Sequence, residues 1–453
     1  MNRYKSSFLW FICLVSAMGG LLFGYDWVVI GGAKIFYEQY FGIVFKPVLQ
    51  GLAMSVALAG CMIGALTAGT LADRIGRRSL LGFAACLFIV TASGTGAFNQ
   101  FGPFLAARFF GGIAIGIASG LSPMYIAEVA PTEIRGRLVS LNQLTIVIGI
   151  LSAQIVNWRL VSPDMAWNVS MAWRWMFWAA AFPATAFLLM VFFIPESPRW
   201  LALNGHLDKA RDVLSRIGGE EYAHRESASI IATMSEDKGS EEGLKVLFSR
   251  PFRAILVLGV IVAVFQQWCG TNVIFNYAQE IFQAAGYDVD NTFINIVVTG
   301  IANMVFTFVA IFTVDKLGRR TLMLMGAGGL AGIYLTLGIC YFFKVSGIVM
   351  VILVVLAISC YAMTLGPITW VLLSEIFPNK LRAVAMAFCT FALWMASFIL
   401  TFTFPVLNAA LGTYGTFWIY SGICLLGFLF FMAKLPETKG KSLEELENQL
   451  IRK

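Results

Sequence analysis

The sequence predicts an all-α membrane protein: twelve transmembrane helices in two related six-helix bundles, with a small helical subdomain between them. Three observations predict it. Of 453 residues, 59 % are hydrophobic and only 13 % are charged, about half the charge of a soluble domain. The apolar residues gather in runs of about 20, enough to cross a bilayer as a helix. Three polar motifs that follow spans of the first half recur, in order, after the matching spans of the second.

The expected spans are 8–32, 50–71, 79–98, 103–127, 137–157 and 173–194, then 255–283, 292–314, 321–343, 347–374, 383–407 and 413–434. The domain boundaries follow: a bundle over 1–194, a cytoplasmic subdomain over 195–252, a second bundle over 253–435 and a tail over 436–453. The first run is too long and too Gly-rich for a cleaved leader, so the first helix is expected to remain in the mature protein. It is apolar except for Asp26, and a carboxylate at membrane depth costs roughly 3 kcal/mol on insertion scales. Its glycines at 19, 20, 24, 31 and 32 allow neighbouring helices to approach closely. In 195–252, Leu207, Ala210, Val213, Leu214 and Ile217 recur at helical spacing. The tail, Ser442-Leu-Glu-Glu-Leu-Glu, is a charged helix candidate.

Basic residues set the orientation. Arg3, Lys5, Arg74, Arg77, Arg78, Arg135, Arg137, Lys316, Arg319, Arg320, Lys380 and Arg382 lie on one side, against Lys34, Lys46, Arg159 and Lys344 on the other. Both termini are therefore expected in the cytoplasm. The net charge of +7 reflects these short loops and not a nucleic-acid surface. The eight cysteines fall in apolar runs and are expected to be free, buried thiols. No phosphate-binding loop, metal cluster or nucleophile–base set is visible, so no enzyme, cofactor or metal is expected. His206 and His224 fall in the polar segment, and Asn168-Val-Ser170 is a sequon that chance alone explains.

The duplicated motifs are Asp73-Arg-Ile-Gly-Arg-Arg78 with Asp315-Lys-Leu-Gly-Arg-Arg320, Glu128-Val-Ala-Pro-Thr-Glu-Ile-Arg135 with Glu375-Ile-Phe-Pro-Asn-Lys-Leu-Arg382, and Pro195-Glu-Ser-Pro-Arg199 with Pro436-Glu-Thr-Lys-Gly. A repeat with offsets of roughly 240–250 residues is the mark of a duplicated six-helix unit, and two such parallel halves make a rocking transporter. Asp73, Arg77, Arg78, Glu128, Arg135, Glu196, Arg199, Asp315, Arg319, Arg320, Glu375, Arg382 and Glu437 are the expected cytoplasmic gate, cross-linking the bundles in one state and parting in the other. Topology signals and helix capping alone would explain the arginines but not the matched acids and prolines.

These motifs, with Gln266-Gln-Trp-Cys-Gly-Thr-Asn272, resemble the sugar porter family of the major facilitator superfamily along essentially the whole chain. The similarity is greatest to bacterial sugar–proton symporters. The resemblance implies import of a pentose, hexose or polyol with a proton by alternating access, in a bacterial inner membrane. It implies sugar contacts from Phe23, Gln143, Gln266, Gln267, Asn272, Asn303, Gly366, Trp370 and Trp394, and a protonatable Asp26 partnered by Arg108. Three positions depart from the family: Asn276 replaces a common tyrosine, Leu393 replaces a Gln or Asn, and Ala180 stands where a proton-coupled member has a second intramembrane Glu.

The residue types suit that role. A sugar offers hydroxyls and weakly apolar faces, so its site needs carboxamides that both donate and accept, and aromatic planes. Gln143, Gln266, Gln267, Asn272, Asn276 and Asn303 supply the first; Phe23, Trp370 and Trp394 supply the second. An isolated intramembrane Asn or Gln would read as helix–helix glue, whereas a Gln-Gln pair followed by Asn, with tryptophans in the same half, reads as a site. Asp26 and Arg108 are the full charges expected well inside first-half spans, and pairing reduces the desolvation cost of both. A uniporter of the same fold, with Asp26 structural, is the alternative, and a non-transporting sugar sensor a further one. The expected partners are the sugar, a proton and lipid, with no nucleic acid and a monomeric chain.

Overall fold

The computed structural model describes residues 6–131, 134–236, 247–377 and 381–437. The tail beyond Glu437 and the side chains of Asp315 and Arg382 lie outside the described residues. The described residues hold helices joined by short loops, with no strand among them, and form a multi-pass membrane protein. The first half contains α1 (Ser6–Tyr40), α2 (Pro47–Ile75), α3 (Arg77–Ala97), α4 (Phe101–Val129), α5 (Arg135–Leu160) and α6 (Met165–Val191). Three short helices follow: α7 (Pro198–Leu203), α8 (Leu207–Gly218) and α9 (Glu220–Glu236). The second half contains α10 (Arg250–Trp268), α11 (Thr271–Asn276), α12 (Ala278–Ala284), α13 (Val289–Leu317), α14 (Arg319–Phe342), α15 (Ile348–Met363), α16 (Leu365–Ile376) and α17 (Arg382–Lys434). Eleven helices are long and apolar enough to span a bilayer. Because α17 turns at Gly412 (φ 69°), its two arms are separate spans and the described total is twelve.

Four spans differ from expectation, each for a local reason. Helix α1 continues to Tyr40 instead of ending at 32, because nothing after Gly32 breaks it. It stops at Gly42 (φ 64°), where Gly42 N donates to Gln39 O and Ile43 N to Glu38 O, a Schellman ending. Lys34 is therefore a buried helical residue, 3 % exposed, and not a loop cation. The seventh span is three pieces, broken at left-handed Gly270 (φ 87°) and again at Tyr277. The tenth breaks at Thr364 (φ −124°, ψ −88°). Pro367, three residues later, has no N–H for the carbonyl of Met363 and its ring would collide with that carbonyl. The sixth contains a π-turn at Asn168–Ala172.

Packing divides the chain into two compact units. We use "near" for the helix ends on the side of residue 6 and "far" for the opposite ends. The first unit takes the described residues of Met1–Trp27, Ala59–Ile150 and Arg174–Ser240. Its helices touch through glycines: a Cβ on Gly24 would strike the Ile146 carbonyl, one on Gly149 the Leu21 carbonyl, and one on Gly116 the Cys61 carbonyl. Small residues thus bring α1 onto α5 and α2 onto α4 at backbone distance. In α8, Ala210, Val213, Leu214 and Ile217 are buried as their spacing predicts, and Leu207 is exposed.

The second unit takes Val28–Leu58, Leu151–Trp173 and the described residues of Glu241–Lys453. The far parts of α1, α2 and α5 thus pack with the second-half helices. A Cβ on Gly31 would lie 2.8 Å from the Asn276 carbonyl, and one on Gly51 would strike that of Phe402. All eight cysteines are free; five are buried, Cys340 and Cys360 are half-buried, and Cys86 is exposed, contrary to expectation.

Gly149→Ala should destabilise the protein by about 1–3 kcal/mol through overpacking, whereas Gly69→Ala, whose Cβ would meet nothing within 4 Å, should be neutral. Thermal unfolding of the two variants in detergent measures the difference.

Candidate functional site

Asp26 and Arg108 meet inside the first unit. Their side chains are 2.7 Å apart, Asp26 Oδ1 accepting from Arg108 Nη1, and the residues are 6 % and 4 % exposed. Glycines at 19, 20 and 24 let α1 sit close enough to α4 and α5 for that short reach. The guanidinium lies 5.4 Å from the Phe177 ring, and its Nε is buried without a hydrogen-bond partner. The pair is therefore neutral overall but incompletely satisfied, and the arginine has a donor left to offer. It is not the sole buried charge in the first half. Arg174 is buried, donating to the carbonyls of Gly96 (2.7 Å) and Phe98 (3.3 Å), and Lys34 and Glu38 are buried near the far end of α1.

The duplicated motifs build the same network twice. In the first unit Arg77 pairs with Glu128 (3.0 Å) and Asp73 (2.9 Å). Glu196 accepts from the backbone N–H groups of Arg77 (2.8 Å) and Arg78 (3.1 Å), at the N-terminus of α3. Arg78 donates to the carbonyls of Val191 and Phe192. In the second unit Arg319 pairs with Glu375 (2.9 Å), and Glu437 accepts from the N–H groups of Arg319 (2.9 Å) and Arg320 (3.2 Å) at the N-terminus of α14. Arg320 donates to the Met432 carbonyl (2.7 Å). Each acid binds arginines of its own half, and Glu196 and Glu437 each cap a helix whose macrodipole favours a carboxylate there. Of the remaining motif residues, Arg135 is half-buried and Arg199 exposed.

The broken seventh span carries a chain of amides. Asn272 Nδ2 donates to Gln267 Oε1, Gln267 Nε2 to Gln266 Oε1 (2.7 Å), and Gln266 Nε2 to the Tyr361 hydroxyl (2.5 Å). The break at Gly270 turns Asn272 back towards Gln267, which an unbroken helix would not do. Every amide passes one N–H along the chain and keeps a second, so the row presents unspent donors with a phenol at its end. Asn276, Asn303 and Trp394 are buried in the same unit, and Trp370 is 38 % exposed. Gly366 sits against Tyr361: a Cβ there would lie 3.4 Å from its ring. Gln143, exposed, and Phe23, edge-on to Trp27 at 5.6 Å, belong to the first unit. Sequence reasoning missed Tyr361, which reads as one more aromatic in an apolar run. It also missed the Lys34, Glu38 and Glu280 cluster, although the i, i+4 spacing of Lys34 and Glu38 was a usable signal.

Comparisons with known proteins agree on one family. The family described as "Sugar (and other) transporter" matches residues 12–450. The chain is 37 % identical to the D-xylose-proton symporter of Escherichia coli (strain K12), covering 98 % of this chain and 96 % of that protein. It is 37 % identical to the arabinose-proton symporter of Bacillus subtilis (strain 168), covering 100 % and 97 %. It is 36 % identical to the major myo-inositol transporter IolT of the same organism, covering 99 % and 96 %. Among solved structures, the inward open conformation of the xylose transporter XylE from E. coli superposes with TM-score 0.88 at 35 % identity, covering 98 % of this chain and 100 % of that one.

Removing one member of the buried pair leaves an uncompensated charge. Arg108→Leu should therefore destabilise the protein by about 3–5 kcal/mol, and the double variant Asp26→Asn/Arg108→Leu by less. Thermal unfolding of both in detergent distinguishes these outcomes.

Proposed function

This chain belongs to the sugar (and other) transporter family, and we propose that it imports a monosaccharide or related polyol together with a proton by alternating access. Its fold is that of the major facilitator transporters it superposes on, and it is a transporter and not an enzyme. The observation that carries proton coupling is the buried pair of Asp26 and Arg108. A proton reaching Asp26 cancels its charge and loosens the pair, and Arg108, with Nε already unpartnered, can take other acceptors. Protonation then biases the equilibrium between two arrangements of the bundles. Each proton moving inward through 100 mV releases ~2.3 kcal/mol, enough for about a fiftyfold sugar gradient.

We assign sugar binding to the amide row of Gln266, Gln267 and Asn272, to Asn276 and Asn303, to Trp370 and Trp394 beside the hinge at Gly366, and to Phe23 and Gln143 from the first half. These groups donate, accept and stack without a full charge, which suits a neutral polyhydroxylated ligand that must leave again. The similar proteins named for D-xylose, arabinose and myo-inositol support that class. The moving bodies are the halves 1–194 and 253–435, joined by 195–252 and followed by the tail 436–453. In this reading the near ends face the cytoplasm of a bacterium, which the basic loops support, and the chain works as a monomer. The paired networks around Arg77 and Arg319 stiffen the near end of each half and release acids for the other half when that end closes.

Asp26→Asn should abolish accumulation of sugar in energised cells while sparing counterflow exchange. A mutant that still concentrates sugar removes Asp26 from coupling. Sugar-driven alkalinisation of the medium by de-energised cells separates symport from uniport. Gln267→Ala should weaken sugar binding at least ~tenfold, as loss of one or two hydrogen bonds would; titration of the purified protein across pentoses, hexoses and polyols measures this and identifies the sugar.

A further inference from the structure

Lys34 is held between two carboxylates on different elements. Its ammonium lies 2.7 Å from Glu38 Oε1, one turn on in α1, and also bonds Glu280 Oε1 of α12. The side chains of Lys34 and Glu38 are 4 % and 6 % exposed, whereas that of Glu280 is 26 % exposed. Gln50 Nε2 donates to Glu38 Oε2 at 3.1 Å, and the Tyr277 ring lies 5.5 Å from the ammonium. Beside this cluster, Gln279 Nε2 donates to the Gly32 carbonyl (2.7 Å) and its Oε1 accepts from Ile35 N (3.4 Å). All these residues belong to the second unit.

The two acids are not equivalent. Glu38 shares a helix with Lys34, so their pair survives any movement of α1 as a body. It also has a second partner in Gln50. Glu280 lies on a seven-residue helix that follows two backbone breaks, at Gly270 and Tyr277. Its Oε2 has no hydrogen-bond partner, and it is the member closest to solvent. Separating α12 from α1 would leave the lysine neutralised by Glu38 and would release Glu280 to water. Neither ion would then be stranded in an apolar place, which is the usual penalty for breaking a buried ion pair.

We infer that Lys34 is a positioning residue of the transport cycle: with Glu38 as its fixed partner, it latches α12 to the far end of α1 through Glu280, and this latch parts when that end opens. The inference rests on the alternating-access reading. Its test needs no sugar, so it fails separately from the substrate assignment.

Spin labels at Phe45→Cys, which is 94 % exposed in the loop that leaves the far end of α1, and at the exposed Gln283→Cys of α12 report the separation of that end from α12. The background carries serine at Cys86, Cys340 and Cys360. The unmodified latch should give one short distance. Lys34→Met and Glu280→Gln should each raise the long-distance population by about tenfold, within the usual range of conformational coupling, while Glu38→Gln should stay short. Exchanging the charges, Lys34→Glu with Glu280→Lys, keeps two acids and one lysine and should restore the short distance. Glu280→Gln is isosteric and partly exposed, so it tests the latch even if Lys34→Met does not fold. Single variants that stay short, or an exchange that fails to restore the distance when both singles open, would overturn the latch. Opening by Glu38→Gln equal to that by Glu280→Gln would overturn the division of roles.

Discussion

An ion taken out of water must be met by an opposite ion or by several dipoles, and that requirement organises this molecule. Asp26 is met by Arg108, Arg174 by two carbonyls, Lys34 by two carboxylates, and Arg77 and Arg319 by a glutamate each. Each solution ties two helices that have nothing else to distinguish them in an apolar medium, where hydrophobicity gives no drive to associate. The glycine contacts complete the arrangement. The close approach of Gly19 to Ser122 and Ala118 helps bring the short aspartate on α1 within reach of the arginine on α4.

The repeat shows why a motif survives duplication as a set. Arg77 needs Glu128, and Glu196 needs the exposed N–H groups at the start of α3. The second half meets the same two needs with Arg319, Glu375 and Glu437. Losing Glu128 would take from the buried Arg77 its closely held carboxylate, and losing Glu196 would leave the first N–H groups of α3 without their acceptor. A shared backbone detail supports this: Gly76 and Gly318 both take positive φ, 93° and 87°, immediately before the capped helix. A Cβ on either would press on the capping glutamate.

What was legible in the sequence followed from length and from repetition. Apolar runs locate the spans, and paired motifs locate the halves, because both are local patterns. The meeting of Asp26 with Arg108 was legible through the family resemblance and through the gain that pairing brings two opposite charges in apolar helices. The charges at the near ends were legible as a repeated set of residues but not as a set of bonds. Acid and arginine spacing does not say which half supplies the partner, and the structure pairs Arg77 and Arg319 within their own halves. Lys34 was misread as a loop cation because nothing marks the first helix as running eight residues past Gly32 except the absence of a breaker.

The breaks in the seventh and tenth spans carry the remaining logic. An unbroken membrane helix satisfies its own backbone and offers only side chains, each at a fixed angle to the next. Gly270 ends α10 just after Gln266 and Gln267 and restarts the chain so that Asn272 bonds back to Gln267. Pro367 interrupts the tenth span beside Tyr361, the residue that terminates the same amide row. A polar row and a pair of joints therefore occupy one place in the second half. The second break of the seventh span, at Tyr277, isolates α12, which bears the one acid of the far cluster that does not share a helix with Lys34. One interrupted span thus holds the amides, the joints and the detachable end of the far contact, so a displacement of its backbone acts on all three together.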